Sequence, residues 1–188
     1  MNNELMIDIE TTGNKVGCKV LSLGAFGFDK NGNQVEFYRR FAIDKQAEAG
    51  LTDDQATMEW WQKQSEQARN EAFSGTTDPA EGIGEFRLWF FENFATGRFD
   101  NFRVWSCGLD FDFPILQNFM KAFGYAFPWM FWQQFDYRTI KNLFPIIKDD
   151  EGNVAKHTAL EDAKAQMRGL RSFIVKLYTA RKAGNINM

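Results

Sequence analysis

Three short stretches of this chain carry acids at spacings that could hold metal ions and cut a phosphate ester. In "LMIDIETT" (5–12), Asp8 and Glu10 alternate with Ile7 and Ile9. A strand puts alternate residues on one face, so both carboxylates point the same way. In "GLDFDFPIL" (108–116), Asp110 and Asp112 stand between a strand pattern and a helix pattern. In "HTALEDAKAQ" (157–166), His157 precedes a helix start and Asp162 falls about one turn inside it. His157 is the one histidine of the chain. Two carboxylates sharing a face repel, and burying them together is costly without a cation between them. Each signal has a plainer reading. The first strand could lie at a sheet edge with its acids in water, or carry one of them protonated. Asp112 could simply cap a helix, and Asp162 could favour a helix N-terminus through the macrodipole. Taken together they supply the set of about four carboxylates, from separate elements, that a two-metal phosphoryl-transfer site needs.

The elements that would position these residues follow from the pattern. After the first strand, 19–29 and 35–43 read as strands joined by "KNGN" (30–33), where Asn31-Gly32 is a strong hairpin signal. The chain therefore opens as an antiparallel meander. Residues 52–73 read as one helix. Asp78, Pro79 and Glu81 form an N-cap, first-turn proline and capping box for the next. A strand is expected over 102–108, a helix from 111 to a stop at Gly124, a strand over 130–136, and a short helix over 137–144 ended by Pro145. Residues 148–156 read as a polar loop. Thr158 and Glu161 predict a capping box for the last helix, whose apolar series runs through Leu160, Ala163, Met167, Leu170, Ile174 and Leu177. The expected fold is α/β: a mixed sheet, meander plus parallel strands, with helices on both faces.

At 188 residues one domain is expected, over 1–180, with a frayed tail over 181–188. The balance of 22 Lys+Arg against 25 Asp+Glu gives a net charge of −3, which excludes the broad basic surface of non-specific duplex binders. It does not exclude an enzyme gripping a few nucleotides. The 20 Phe and 6 Trp fit either an aromatic core or stacking surfaces for bases. Cys18 and Cys107 lie far apart inside apolar stretches, as buried free thiols in a reducing compartment do. No signal peptide and no membrane-spanning run is read, so a cytoplasmic protein is expected.

The Asp-x-Glu of the first strand, the aspartate in "FDFPIL" and the His-x4-Asp near the end resemble the DEDDh 3′–5′ exonucleases, the DnaQ-like branch of the ribonuclease H fold. Nearly the whole chain fits that plan in order. "TMEWWQKQS" (57–65), "VWSCGLDFDFPIL" (104–116), "DYRTI" (136–140) and "HTALEDAKAQ" narrow the likeness to phage-type exodeoxyribonucleases and related small exoribonucleases. The resemblance implies a ribonuclease H-like sheet and two divalent cations, Mg²⁺ or Mn²⁺. Asp8 would be shared by both cations, and Glu10, Asp112 and Asp162 would complete their coordination. Asp112 is chosen over Asp110 because it matches the family placement. His157 would serve as general base on the attacking water. Thr11 and Thr12 would line the pocket for the terminal nucleotide, Trp61 or Trp60 would stack on a base, and Arg138 would neutralise a phosphate or pair with Asp136. The implied partner is single-stranded nucleic acid with a free 3′ end, DNA favoured over RNA. Some relatives work as dimers, and homodimerisation is left open.

Two other classes fit less well. A haloacid dehalogenase-like phosphatase also opens on an acidic strand, but "DIETT" has Glu where that chemistry wants its general-acid Asp. A non-catalytic binding module would be expected to have lost a ligand, and every ligand position here is filled.

Overall fold

The computed structural model describes residues 3–94, 101–144 and 158–183. Its sheet is organised around the acidic strand, β1 (Glu4–Thr11), in which Leu5, Ile7 and Ile9 face one side and Met6, Asp8 and Glu10 the other. β2 (Val20–Phe28) pairs antiparallel with β1, and β3 (Gln34–Arg40) antiparallel with β2. The β2–β3 turn closes because Gly32 takes a φ of 86° and the Asp29 carboxylate accepts the N–H groups of Asn31 and Asn33, each at 2.8 Å. β4 (Arg103–Ser106) joins the other edge of β1 in parallel, and β5 (Gln134–Asp136) runs parallel to β4. The order β3-β2-β1-β4-β5 puts β1 in the middle. The acidic strand is not an edge strand.

Helices cover both faces. α1 (Asp44–Glu48), α2 (Gln55–Gln62) and α3 (Glu66–Phe73) follow the meander, and α4 (Pro79–Asn93) leads to β4. α5 (Leu109–Ala122) follows β4, α6 (Tyr137–Leu143) follows β5, and α7 (Ala159–Lys182) ends the described chain. Leu5, Ile7 and Ile9 pack with Phe86 and Phe90 of α4 and with Leu116 and Phe119 of α5. On the opposite face, Met6 and Trp105 pack with Tyr137 of α6 and with Ala163, Met167 and Leu170 of α7. Glu4, fully buried, ties β1 to β4 by accepting from the Arg103 guanidinium and, at 2.6 Å, from the Trp105 indole N–H.

Several expectations need correction. The helix read over 52–73 is two, because Ser65 takes an extended ψ of 152° and caps a new helix through Ala68 N–H. The strand read over 130–136 begins only at Gln134; Phe131–Gln133 is a 3₁₀ turn with Phe131 and Trp132 exposed. Thr158 stands at the N-cap of α7, but its side chain makes no capping hydrogen bond. Helix α7 continues to Lys182, so the tail begins helical. Asp78 and Pro79 start α4 as expected, Asp78 accepting from Ala80 and Glu81 N–H, and Gly124 ends α5 with a φ of 82°. Pro145, the polar stretch 148–156, His157 and residues 184–188 lie outside the described residues.

Candidate active site

The site forms where the C-terminal end of β1 meets the first turns of α5 and α7. Asp8 sits opposite Gly24 of β2. A Cβ at Gly24 would run into the backbone of Ala159 and Leu160, so the missing side chain lets the first turn of α7 lie directly on β2. That close approach brings Asp162 to Asp8 and Glu10: one carboxylate oxygen from each lies within 4.8 Å of the others. Gln166, one turn further along α7, donates from Nε2 to Asp8 Oδ1 at 2.9 Å.

Asp112 approaches from the first turn of α5. It is 3% exposed, whereas Asp110 on the same turn points to solvent. Gly108, with a φ of 136°, makes the backbone turn from β4 into α5. Asp112 lies outside the trio that could grip one ion, yet it is the charged group acting most strongly on Asp8.

The electrostatics are those of crowded acids. Burial, then the charges of Asp112, Glu10 and Asp162, drive the Asp8 carboxyl well above the usual range. Burial and the charges of Asp162 and Asp112 push Glu10 up to about 8. Burial raises Asp112 to about 7, opposed chiefly by the backbone N–H of Ile9. Such a cluster is unfavourable as ionised carboxylates alone. A set made only of carboxylate oxygens suits hard divalent cations, whose charge would offset that repulsion.

The remaining expected residues fall around this cluster. Thr11 and Thr12 are buried in the turn after β1, with Thr11 Oγ1 donating to Gly13 O at 2.6 Å and Thr12 Oγ1 to Thr52 O at 3.3 Å. The Thr11 hydroxyl is thus held within the turn, and that of Thr12 by the segment before α2. Of the two tryptophans, either of which could stack on a base, Trp61 is the one turned inward. It is 2% exposed, and its indole N–H donates to Thr11 O at 2.9 Å. It braces the turn, while its neighbour Trp60 is 41% exposed. Arg138, at the start of α6, donates from its guanidinium to Cys107 O at 2.6 Å and lowers the Asp112 pKa by its charge. Asp136 caps α6, accepting from Thr139 N–H at 3.0 Å and from the Thr139 hydroxyl. Both cysteines are free, Cys18 buried and Cys107 half-buried. Among the described residues no helix is long and apolar enough to cross a membrane.

Comparison with known proteins decides the family. The Rv2179c-like domain, described as a 3′-5′ exoribonuclease, matches residues 3–174. The chain belongs to the Rv2179c-like 3′–5′ exoribonuclease domain family. This exonuclease is 26% identical over 172 residues to the exodeoxyribonuclease of Enterobacteria phage T4, the match spanning 78% of this chain and 74% of that protein. Its fold is that of E. coli exonuclease I in complex with a dT13 oligonucleotide (TM-score 0.60, 13% identity, 95% of this chain and 44% of that one). The chain thus spans less than half of exonuclease I. The nuclease domain of 3′hExo, a DEDDh family member bound to rAMP, shares the fold over 92% of both chains (TM-score 0.59, 11% identity). The exonuclease is therefore a hydrolytic nuclease on a ribonuclease H-like sheet, and the phosphatase and inert-module readings fall away. DEDDh exonucleases use divalent metals, and the acids around Asp8 offer this one a site of matching chemistry.

Proposed function

We propose that this exonuclease removes nucleoside monophosphates, one at a time, from the free 3′ end of a single strand, using two Mg²⁺ or Mn²⁺ ions held by Asp8, Glu10, Asp112 and Asp162. The observation that supports this most is the convergence of Asp8, Glu10 and Asp162 oxygens within 4.8 Å, with Asp112 buried alongside. When bound, such cations supply the positive charge that stabilises the attacking and leaving oxygens of the phosphodiester. Asp8, whose oxygen lies within 4.8 Å of oxygens of Glu10 and Asp162, would be the ligand common to the ions. His157, placed by sequence just before α7, is assigned the proton taken from the attacking water.

Substrate binding needs little cationic surface, in keeping with the net charge of −3. Arg138, exposed beside the mouth of the acidic cluster, is assigned a phosphate, and exposed Trp60 takes over the base-stacking role. Thr11 and Thr12 shape the terminal-nucleotide pocket through their backbone. We favour DNA because the phage T4 relative is an exodeoxyribonuclease. RNA is the second reading, favoured by the family description and by the rAMP bound to 3′hExo. A cytoplasmic setting fits the two free thiols.

The test uses matched single strands, DNA and RNA, labelled at either end, with Mg²⁺, Mn²⁺ or EDTA. The 3′ label is expected to leave at once as a mononucleotide, and the 5′ label to shorten in single steps. Both should happen only with metal. Loss from the 5′ end, or equal loss in EDTA, would overturn the mechanism. Faster loss from RNA would overturn the choice of sugar alone.

A further inference from the structure

One polar side chain inside the acidic cluster belongs to none of the motifs' acids. Gln166 stands four residues after Asp162, on the same flank of α7, and its Nε2 donates to Asp8 Oδ1 at 2.9 Å. Its Oε1 is buried and accepts no hydrogen bond among the described residues. We propose that Gln166 is a positioning residue for the metal ions: its amide fixes the rotation of the Asp8 carboxylate and leaves the remaining lone pairs of Asp8 to the ions it would share with Glu10, Asp112 and Asp162. The proposal rests on the two-metal reading above.

Three features carry it. First, an Asp8 oxygen lies within 4.8 Å of oxygens of both Glu10 and Asp162, so the orientation of Asp8 would set the ion site they form. An amide is the right donor for such a group. It gives a hydrogen bond without bringing a positive charge that would compete with the ions, or a negative one that would add to the repulsion. Second, the amide presents its donor to the ligand. Nε2 is the atom turned to Asp8, while Oε1 is buried and accepts no hydrogen bond among the described residues. Third, donor and ligand are one rigid unit. Gln166 and Asp162 are a helical turn apart on α7, and the start of α7 is pressed onto β2 at Gly24. A shift of α7 would therefore move the Asp162 ligand and the Asp8 orienter together.

The rival role is simple glue between α7 and β1, and the two roles predict different losses. The experiment titrates Mn²⁺ into the whole purified, metal-stripped chain by calorimetry, without nucleic acid, for wild type, Gln166→Met and Gln166→Asn. Methionine keeps the length and removes the donor. Asparagine keeps an amide but withdraws it by one methylene. Both variants are expected to bind Mn²⁺ about 10–100-fold more weakly. The melting temperature in EDTA should stay near wild type, and kcat should fall while KM for a single strand holds. Wild-type Mn²⁺ affinity and kcat in the variants would overturn the proposal, as would a fall in metal-free stability with affinity intact. If the methionine variant does not fold, the asparagine variant decides by the same criteria. A wild-type chain that binds no Mn²⁺ would overturn the metal reading itself, a result distinct from an indifferent Gln166.

Discussion

Replacing Glu10 by glutamine should stabilise the metal-free protein, and by an amount that grows with pH. Folding moves the Glu10 carboxyl from its ordinary 4.5 to about 8, mainly by burial and then by the charges of Asp162 and Asp112. Between those two values the folded chain holds a proton that the unfolded chain has released. The unfolded state then binds fewer protons, so stability falls as pH rises. The contribution is intact below pH 4.5, declines through neutrality and is gone once pH passes about 8. At about 1.4 kcal/mol for each pH unit separating the two states, the penalty at pH 7 is roughly 3 kcal/mol. Glutamine has the size and hydrogen-bonding groups of the neutral acid and escapes that penalty. In a domain of this size roughly 3 kcal/mol corresponds to a melting temperature higher by about 6–12 °C. The assay is urea and thermal unfolding in EDTA at half-unit steps from pH 5 to 8.5. Wild type should lose stability across the range, the Glu10→Gln variant should lose less, and the two should converge near pH 5. Added Mn²⁺ should restore the wild type far more than the variant. A wild-type curve that is flat or rising from pH 5 to 8, or a variant less stable than wild type at pH 8, would refute the reasoning.

Other consequences are equally direct. Asp112→Asn should lower kcat about a hundredfold or more, and Asp110→Asn should leave it near wild type; the opposite pattern in a single-turnover assay would return the ligand role to Asp110. Gly24→Ala should destabilise the fold by about 1–3 kcal/mol in urea titration, because the new methyl meets the α7 backbone. Its kcat should fall by about a hundredfold, since Asp162 is displaced, and an unimpaired enzyme would mean that α7 is not held where the structure puts it. Trp60→Ala should raise KM for a single strand about tenfold with kcat little changed. Trp61→Phe should instead lower stability by about 1–2 kcal/mol, leaving Thr11 O without its donor.

How far the sequence revealed this molecule differs from residue to residue, for physical reasons. The shared face of Asp8 and Glu10 follows from strand period alone, and the caps at Asp78 and Gly124 from local backbone chemistry. The choice of Asp112 over Asp110 rests on family placement; that Asp112 is buried and Asp110 exposed is set by how α5 packs, which strand and helix patterns alone do not give. Local chemistry misled where a competing contact was stronger. Ser65 reads as an ordinary polar residue inside a helix until its hydroxyl is seen to accept from Ala68 N–H. Thr158 and Glu161 have the spacing of a capping box, but the hydroxyl does not take up the bond. Trp60 and Trp61 are adjacent, so helical spacing gives each the same claim to solvent. What separates them is that Thr11 O, fifty residues earlier, receives the indole of the second. Gln166 sits inside a quoted motif at the right helical offset from Asp162. Its role is visible only once α7 lies on β1, since the bond to Asp8 joins residues 158 positions apart.

That separation bears on how the enzyme comes into being. Asp8 and Glu10 lie on β1, Asp112 on α5, and Asp162 and Gln166 on α7, so the site draws on segments far apart in sequence. Contacts between residues so far apart raise the contact order, which slows folding. A chain that has formed the sheet but has not docked α7 still lacks one wall of the acidic cluster. Assembly of the acidic cluster thus waits on the docking of α7 against β1 and β2.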